Sequence, residues 1–155
     1  MAKNFKDLTE REIVALAISL EEEDGRIYGD FIDGLRDTYP ASAKMFEEMQ
    51  AEESGHRASL IEIYRQRFGD HIPLIRRQDV KGFVQRRPMW LVRPLGIHAV
   101  RKQVEIMELE TRNFYERAMQ QVSDAAVRKL LGDLAEAERK HSAAAHALEQ
   151  KILTD

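Results

Sequence analysis

The sequence contains no cysteine among its 155 residues. This absence excludes disulfide frameworks, thiolate zinc sites, iron–sulfur clusters and cysteine nucleophiles. Aromatic residues make up only 7% of the chain, beside four prolines and eight glycines, which favours a helical protein over a sheet protein. No apolar run approaches the roughly 20 residues of a membrane-spanning helix. The amino-terminal segment also lacks the apolar stretch of a secretory signal, so we expect a soluble, cytoplasmic chain.

Charged residues make up 33% of the sequence, and the formal net charge is -3 at pH 7. Such a chain is not expected to bind nucleic acid. The acidic run 21–24 contributes only Glu21 to the predicted core. The segment 65–102 is basic and includes Trp90, and we expect it to contact either a second copy of the chain in a homodimer or anionic lipid headgroups. Its cations include Arg76, Arg77, Lys81, Arg86, Arg87, Arg93, Arg101 and Lys102.

Apolar residues recur at intervals of three and four in four segments, which predicts four helices. Thr9 and Glu12 have the spacing of a capping box, and Tyr39-Pro40 ends the first pattern. The predicted helices begin near Glu10, about Ser42, about Ile97 and after Ser123-Asp124. The first connection is short and residues 70–96 form a long one. The sequence therefore predicts one all-α domain over residues 1–155, a ferritin-like four-helix bundle of two antiparallel helix pairs joined by a crossover.

Polar residues stand on the apolar stripe of every predicted helix. The second and fourth helices each carry a Glu-x-x-His pair, and the first and third each carry a glutamate followed seven residues later by a tyrosine. These residues are Glu21 and Tyr28, Glu53 and His56, Glu108 and Tyr115, and Glu138 and His141. The chain thus contains two copies of one plan.

Buried carboxylates are highly unfavourable unless cations accompany them. Four carboxylates and two imidazoles supply the mixed ligands of a dinuclear iron or manganese site, and their charge of -4 would be balanced by two divalent ions. For a single Glu-x-x-His pair, a solvated or salt-bridged helix face is the competing explanation. The duplication favours two metal ions in one core.

Three segments resemble the rubrerythrin and erythrin branch of the ferritin-like superfamily. They are Leu20-Glu21-Glu22-Glu23-Asp24-Gly25 to Tyr28, Glu53-Ser54-Gly55-His56 and Glu138-Arg139-Lys140-His141. The crossover Arg87-Pro88-Met89-Trp90-Leu91-Val92-Arg93-Pro94-Leu95-Gly96, with Val100-Arg101-Lys102-Gln103, is similar to the membrane-bound ferritin A family. The resemblance implies an erythrin-type domain attached to a carboxy-terminal transporter domain in an iron exporter, tethered at the cytoplasmic side of the inner membrane.

The chain departs from rubrerythrins at one position, since they carry a further carboxylate where this sequence has Thr111. Glu105 and Asp24, each one turn from a predicted ligand, are candidates to replace that carboxylate, although roles beside the metals or in solvent are favoured for both. Tyr28 and Tyr115 are candidate catalytic residues that bond a ligand carboxylate or intercept oxidising equivalents, and a purely structural role is equally compatible.

The leading hypothesis is a domain that binds two Fe(II) ions and oxidises them with O2 or H2O2. Glu53 and Glu138 would bridge the ions, Glu21 and Glu108 would be terminal ligands, and His56 and His141 would each supply a nitrogen. The alternative is a non-catalytic module that captures or senses iron, or senses peroxide, and passes iron to the attached transporter. A metal-free structural bundle is the third hypothesis, and manganese remains an alternative to iron.

Overall fold

A computed structural model describes residues 3–81 and 96–154 of the chain. Within these ranges it contains four long helices, and α1 packs mainly on α2 while α3 packs mainly on α4. Their bounds are α1 Glu10–Leu35, α2 Pro40–Phe68, α3 Ile97–Gln121 and α4 Ala125–Thr154. The predicted all-α, ferritin-like four-helix bundle is therefore confirmed. Most of the predicted crossover, including Arg86, Arg87, Trp90 and Arg93, lies outside the described residues.

The helix ends follow local side-chain chemistry. The Thr9 hydroxyl accepts a hydrogen bond from the Glu12 amide at 3.2 Å, and the Glu12 carboxylate accepts one from the Thr9 amide at 3.1 Å. This is the predicted capping box. Helix α2 starts at Pro40, slightly before the predicted position, because proline fits the first helical turn, where no amide is needed. Gly69 ends α2 with φ +92°, a conformation that favours glycine.

Two apolar clusters occupy opposite sides of a polar layer. One cluster contains α1 residues up to Leu20 and α3 residues from Phe114 onward. The other contains α1 residues from Ile27 and α3 residues up to Met107. The buried acidic residues of α1 and α3 lie between these limits in the sequence, so a low-dielectric interior borders the polar layer on both sides.

One feature of the fold, a pair of short strands, was not anticipated from the sequence. Strands β1, Lys3–Asn4, and β2, Val80–Lys81, pair in parallel and join the amino-terminal segment to the connection after α2. Two-residue strands are too short to show a periodic pattern. Among the described residues, no helix combines the length and apolar composition needed to cross a bilayer.

The expectation that Arg101 belongs to the contact surface of the basic segment is wrong. Arg101 is fully buried, and its Nη2 atom donates a hydrogen bond to the Ser42 hydroxyl at 2.7 Å. This cation stabilises the α2–α3 contact and is not available to a membrane or a second chain. Arg77 pairs with Glu23 of the same chain at 2.7 Å, so part of the acidic run is neutralised within the molecule.

Candidate metal centre

The polar layer brings together six predicted ligands, with at least one from each helix. Helix α1 supplies one carboxylate, α3 supplies another, and α2 and α4 each supply a glutamate and a histidine. The residues are Glu21, Glu53, His56, Glu108, Glu138 and His141. The four glutamates are at most 2% exposed, and the His56 side chain, 16% exposed, is the most accessible of the six. The helical periodicity that placed them on apolar stripes also directs them to one interior region.

The six residues form two overlapping groups of donors. Within each group, one ligand atom from every residue lies within 4.8 Å of the others. The first group is Glu21, Glu53, His56 and Glu138, and the second is Glu53, Glu108, Glu138 and His141. Each group contains three carboxylates and one imidazole, and Glu53 and Glu138 belong to both.

The two shared glutamates present different oxygens to the two histidines. Glu53 places Oε2 at 4.0 Å from His56 Nδ1 and Oε1 at 3.4 Å from His141 Nδ1. Glu138 places Oε1 at 3.9 Å from His56 Nδ1 and Oε2 at 3.9 Å from His141 Nδ1. Both carboxylates therefore have the orientation expected of bridges between two neighbouring cations.

The unshared glutamates each lie close to one histidine. Glu21 Oε2 is 3.8 Å from His56 Nδ1, and Glu108 Oε2 is 3.5 Å from His141 Nδ1. The imidazole rings themselves are stacked, with centroids 6.0 Å apart and an interplanar angle of 17°. The geometry provides one terminal carboxylate and one nitrogen on each side of the shared pair.

Most of the carboxylate oxygens in this layer lack hydrogen-bond partners in the described part of the chain. Both oxygens of Glu53, Glu108 and Glu138 are buried without one, as is one oxygen of Glu21. Native proteins leave few buried polar atoms unpaired, so a cluster of unpaired carboxylate oxygens requires an explanation. Divalent iron or manganese fits this set of oxygen and nitrogen donors. The residues present therefore fit a dinuclear metal site.

Without metal, the two histidines differ in protonation. Burial alone lowers the pKa of His141, but the adjacent carboxylates of Glu108, Glu53 and Glu52 outweigh burial and raise this pKa to about 11. For His56, burial dominates over the charge of Glu53, and the pKa lies below its ordinary value. The metal-free site thus holds one imidazolium that partly compensates the carboxylates.

Protons also neutralise part of the carboxylate charge. Burial, together with the neighbouring carboxylate of Glu108, raises the pKa of Glu138 well above its ordinary value. Burial and then the charges of Glu138 and Glu53 raise the pKa of Tyr115 in the same direction. The Tyr115 hydroxyl therefore remains a donor, and it donates a hydrogen bond to Glu21 Oε1.

The other sequence candidates have different surroundings. Tyr28 is fully buried and packs against Phe46, and its hydroxyl has no partner among the described residues. Glu105 lies 3.7 Å from His146 on a partly exposed surface, and it belongs to neither donor group. The candidate catalytic role of Tyr28 and the candidate ligand role of Glu105 stay predictions.

Asp24 is buried, contrary to the expectation that Glu21 is the only core residue of the acidic run. It is 2% exposed, and the Thr111 hydroxyl donates a hydrogen bond to its Oδ2 atom at 2.9 Å. Thr111, the position at which the sequence resemblance implies a further carboxylate, thus supports a carboxylate of α1 instead. Asp24 is not part of either donor group, although its charge acts on Glu138 and Tyr115.

Glu52 contacts the site but was not among the residues predicted from the sequence. Its carboxylate bonds to Nε2 of His141, the ring nitrogen that faces away from the donor groups. Glu52 is 57% exposed and lines a cavity of about 640 Å³ together with Glu48 and His141. In the sequence, the only indication that Glu52 belongs to the site is its position next to Glu53.

The comparisons with known proteins agree with this fold. The rubrerythrin family model matches residues 12–149. The structure is similar to that of a hypothetical protein from Pyrococcus furiosus, with a TM-score of 0.73 and 17% identity, covering 97% of this chain and 94% of that chain. At this identity the likeness shows the fold alone. A comparison with curated proteins gives no match. Because the family model spans most of the sequence, from α1 to near the end of α4, the chain belongs to the rubrerythrin family.

Proposed function

We propose that the chain binds two Fe(II) ions between its four helices and oxidises them with O2 or H2O2. The observation that carries this proposal is the pair of overlapping donor groups, joined by Glu53 and Glu138. Surface acidic clusters do not share buried carboxylates in this way. The rubrerythrin family match supports a di-iron, ferritin-like module.

Each protein residue has a defined part in holding the ions. Glu53 and Glu138 would bridge them, because each directs one oxygen to either side. Glu21 and His56 would complete one coordination sphere, and Glu108 and His141 the other. The four carboxylates carry a formal charge of -4, which two divalent ions cancel, so occupancy removes the unfavourable repulsion within the apolar interior.

The two ions are the source of electrons in the proposed reaction. Two Fe(II) ions supply the two electrons that reduce H2O2 to water or O2 to H2O2, and they become Fe(III). The chain supplies neutral imidazoles and ionised carboxylates, and the Tyr115 hydroxyl holds Glu21 in position. Manganese would bind the same donors and is the alternative metal.

In the described part of the chain, two cavities are lined by residues of the donor groups. The cavity of about 640 Å³ reaches His141, and a second, of about 310 Å³, is lined by Glu21 and Glu53. The first is rimmed by further acidic residues, which include Glu48 and Asp133. Negative rims attract cations, so we assign the larger cavity to Fe(II) and the smaller one to the oxidant.

The proposal is tested by anaerobic Fe(II) titration with metal counting, followed by addition of oxidant. We expect two equivalents per chain, and repeated formation of Fe(III) after O2 or H2O2 is added. Glu53→Ala should bind less than two equivalents and lose turnover. Glu62→Ala is the matched control, since Glu62 is an exposed glutamate on the same helix, and it should behave as wild type. Full iron binding by Glu53→Ala would contradict the ligand assignment.

The same experiment distinguishes oxidation from capture. Tight binding of two ions without turnover would favour the non-catalytic module that hands iron to a transporter. Tethering to a membrane transporter and a role in export are proposals that rest on the sequence similarity of residues 87–96 and Val100–Gln103 to membrane-bound ferritin A. A homodimer through the basic segment is likewise proposed from sequence, and sedimentation analysis tests it.

A further inference from the structure

We propose that Glu52 is a positioning residue that makes the two metal positions unequal in affinity. This inference rests on the proposed function, since it concerns the order in which the two positions fill. The position that contains Glu108 and His141 would fill first. The position that contains Glu21 and His56 would fill second.

The two nitrogens of His141 face in opposite directions. Nδ1 lies 3.4 Å from Glu53 and 3.5 Å from Glu108, whereas Nε2 bonds to the carboxylate of Glu52. When a metal displaces the proton of Nδ1, the carboxylate on the outer nitrogen retains the proton of Nε2, so that the lone pair of Nδ1 is directed at the metal position. It also fixes the rotation of the ring. The His141 ring is thereby oriented for ligation before any ion arrives.

His56 has no equivalent support in the described part of the structure. Its Nδ1 faces Glu21, Glu53 and Glu138, but no carboxylate contacts its Nε2. The internal duplication explains this difference. Glu52 immediately precedes Glu53 in the first half of the chain, and the corresponding residue, which precedes Glu138, is Ala137. A methyl group cannot accept a hydrogen bond, so the duplication is broken at this position.

The magnitude of the effect follows from the behaviour of outer carboxylates at metal-bound histidines, whose loss typically weakens metal affinity by about 10–100-fold. Glu52 is 57% exposed and sits on the rim of the cavity. Its replacement is therefore not expected to disturb the core. We expect Glu52→Ala to weaken the first binding step by about 10–100-fold and to leave the total at two equivalents.

The test is stepwise anaerobic titration of the metal-free chain with Co(II), which reports its ligand field by visible absorption. Wild type should bind in two resolved steps. Glu52→Ala should weaken the first step and shift the absorption of the first equivalent. Glu48→Ala is the matched control, because Glu48 lines the same cavity one turn away, and it should change affinity less than about threefold, as for an exposed charge.

A double-mutant cycle separates positioning from general electrostatics. In a His141→Ala background, Glu52→Ala should have no further effect on the remaining binding step. The inference is overturned if Glu52→Ala weakens both steps equally, or no more than Glu48→Ala does. A wild-type chain that bound no Co(II) and no Fe(II) would instead overturn the proposed function, and this inference with it. The wild-type binding curve thus shows whether the proposed function fails or only the inference about Glu52.

Discussion

Replacing Glu138 by glutamine should stabilise the metal-free protein while it abolishes full metal binding. Glu138 is fully buried, and burial together with Glu108 raises its pKa. Glutamine has nearly the shape of the protonated carboxyl group, so the substitution removes only the unfavourable ionisation of this side chain. The prediction thereby tests whether repulsion between the buried carboxylates destabilises the metal-free protein.

The size of the effect depends on pH in a defined direction. The carboxyl group titrates near 4.5 in the unfolded chain and at a higher pH in the folded chain. Between these values the folded protein holds the extra proton, so the free energy of unfolding of wild type falls by about 1.4 kcal/mol per pH unit. The free energy of unfolding of Glu138→Gln should not fall with pH in this way, because glutamine does not ionise. We expect a gain in the free energy of unfolding that is near zero at acidic pH and grows by about 1.4 kcal/mol per pH unit until the pKa of the folded state is reached.

The assay is urea unfolding of EDTA-treated protein at several values between about pH 5 and pH 8. Glu136→Gln is the control, since Glu136 lies on the same helix with its side chain 54% exposed, and its free energy should change by less than about 0.5 kcal/mol. A Glu138→Gln variant that is less stable than wild type at every pH, or that still binds two metal equivalents, would refute the reasoning.

Three further predictions concern protons and single hydrogen bonds. Because the pKa of His141 is about 11 without metal, ligation at neutral pH should release its proton, which an indicator dye in weak buffer will detect; no release would contradict the role of Nδ1. Thr111→Val should lower the free energy of unfolding of the metal-free protein by about 1–3 kcal/mol, because it removes this donor to Asp24. Thr111→Ser keeps the hydroxyl group and should retain most of the wild-type stability. Thr9→Ala should cost about 1 kcal/mol in thermal unfolding through loss of the α1 cap, and an unchanged stability would argue against that cap.

The sequence allowed the fold and the six central residues to be predicted because both depend on helical periodicity. Glu53 and His56 interrupt an apolar stripe, and the same interruption recurs at Glu138 and His141. A helix that buries its stripe must bury these residues too. The duplicated spacing then determines that the four segments contribute to one layer.

The remaining features depend on contacts between distant segments. Glu52 lies about 100° around α2 from Glu53, so periodicity places it on the surface, and only the position of α4 brings His141 within its reach. The burial of Asp24 depends on Thr111, which lies on another helix. Arg101 is buried because Ser42 meets it from α2. No local pattern encodes these pairs.

Anomalous diffraction at the iron absorption edge, from crystals loaded anaerobically with Fe(II), is the most direct test of a dinuclear centre in this layer. We predict two peaks inside the bundle, about 3.5–4 Å apart, with Glu53 and Glu138 between them. Iron found only on the exposed surface, or an interior that excludes iron and retains its carboxylates, would contradict the account.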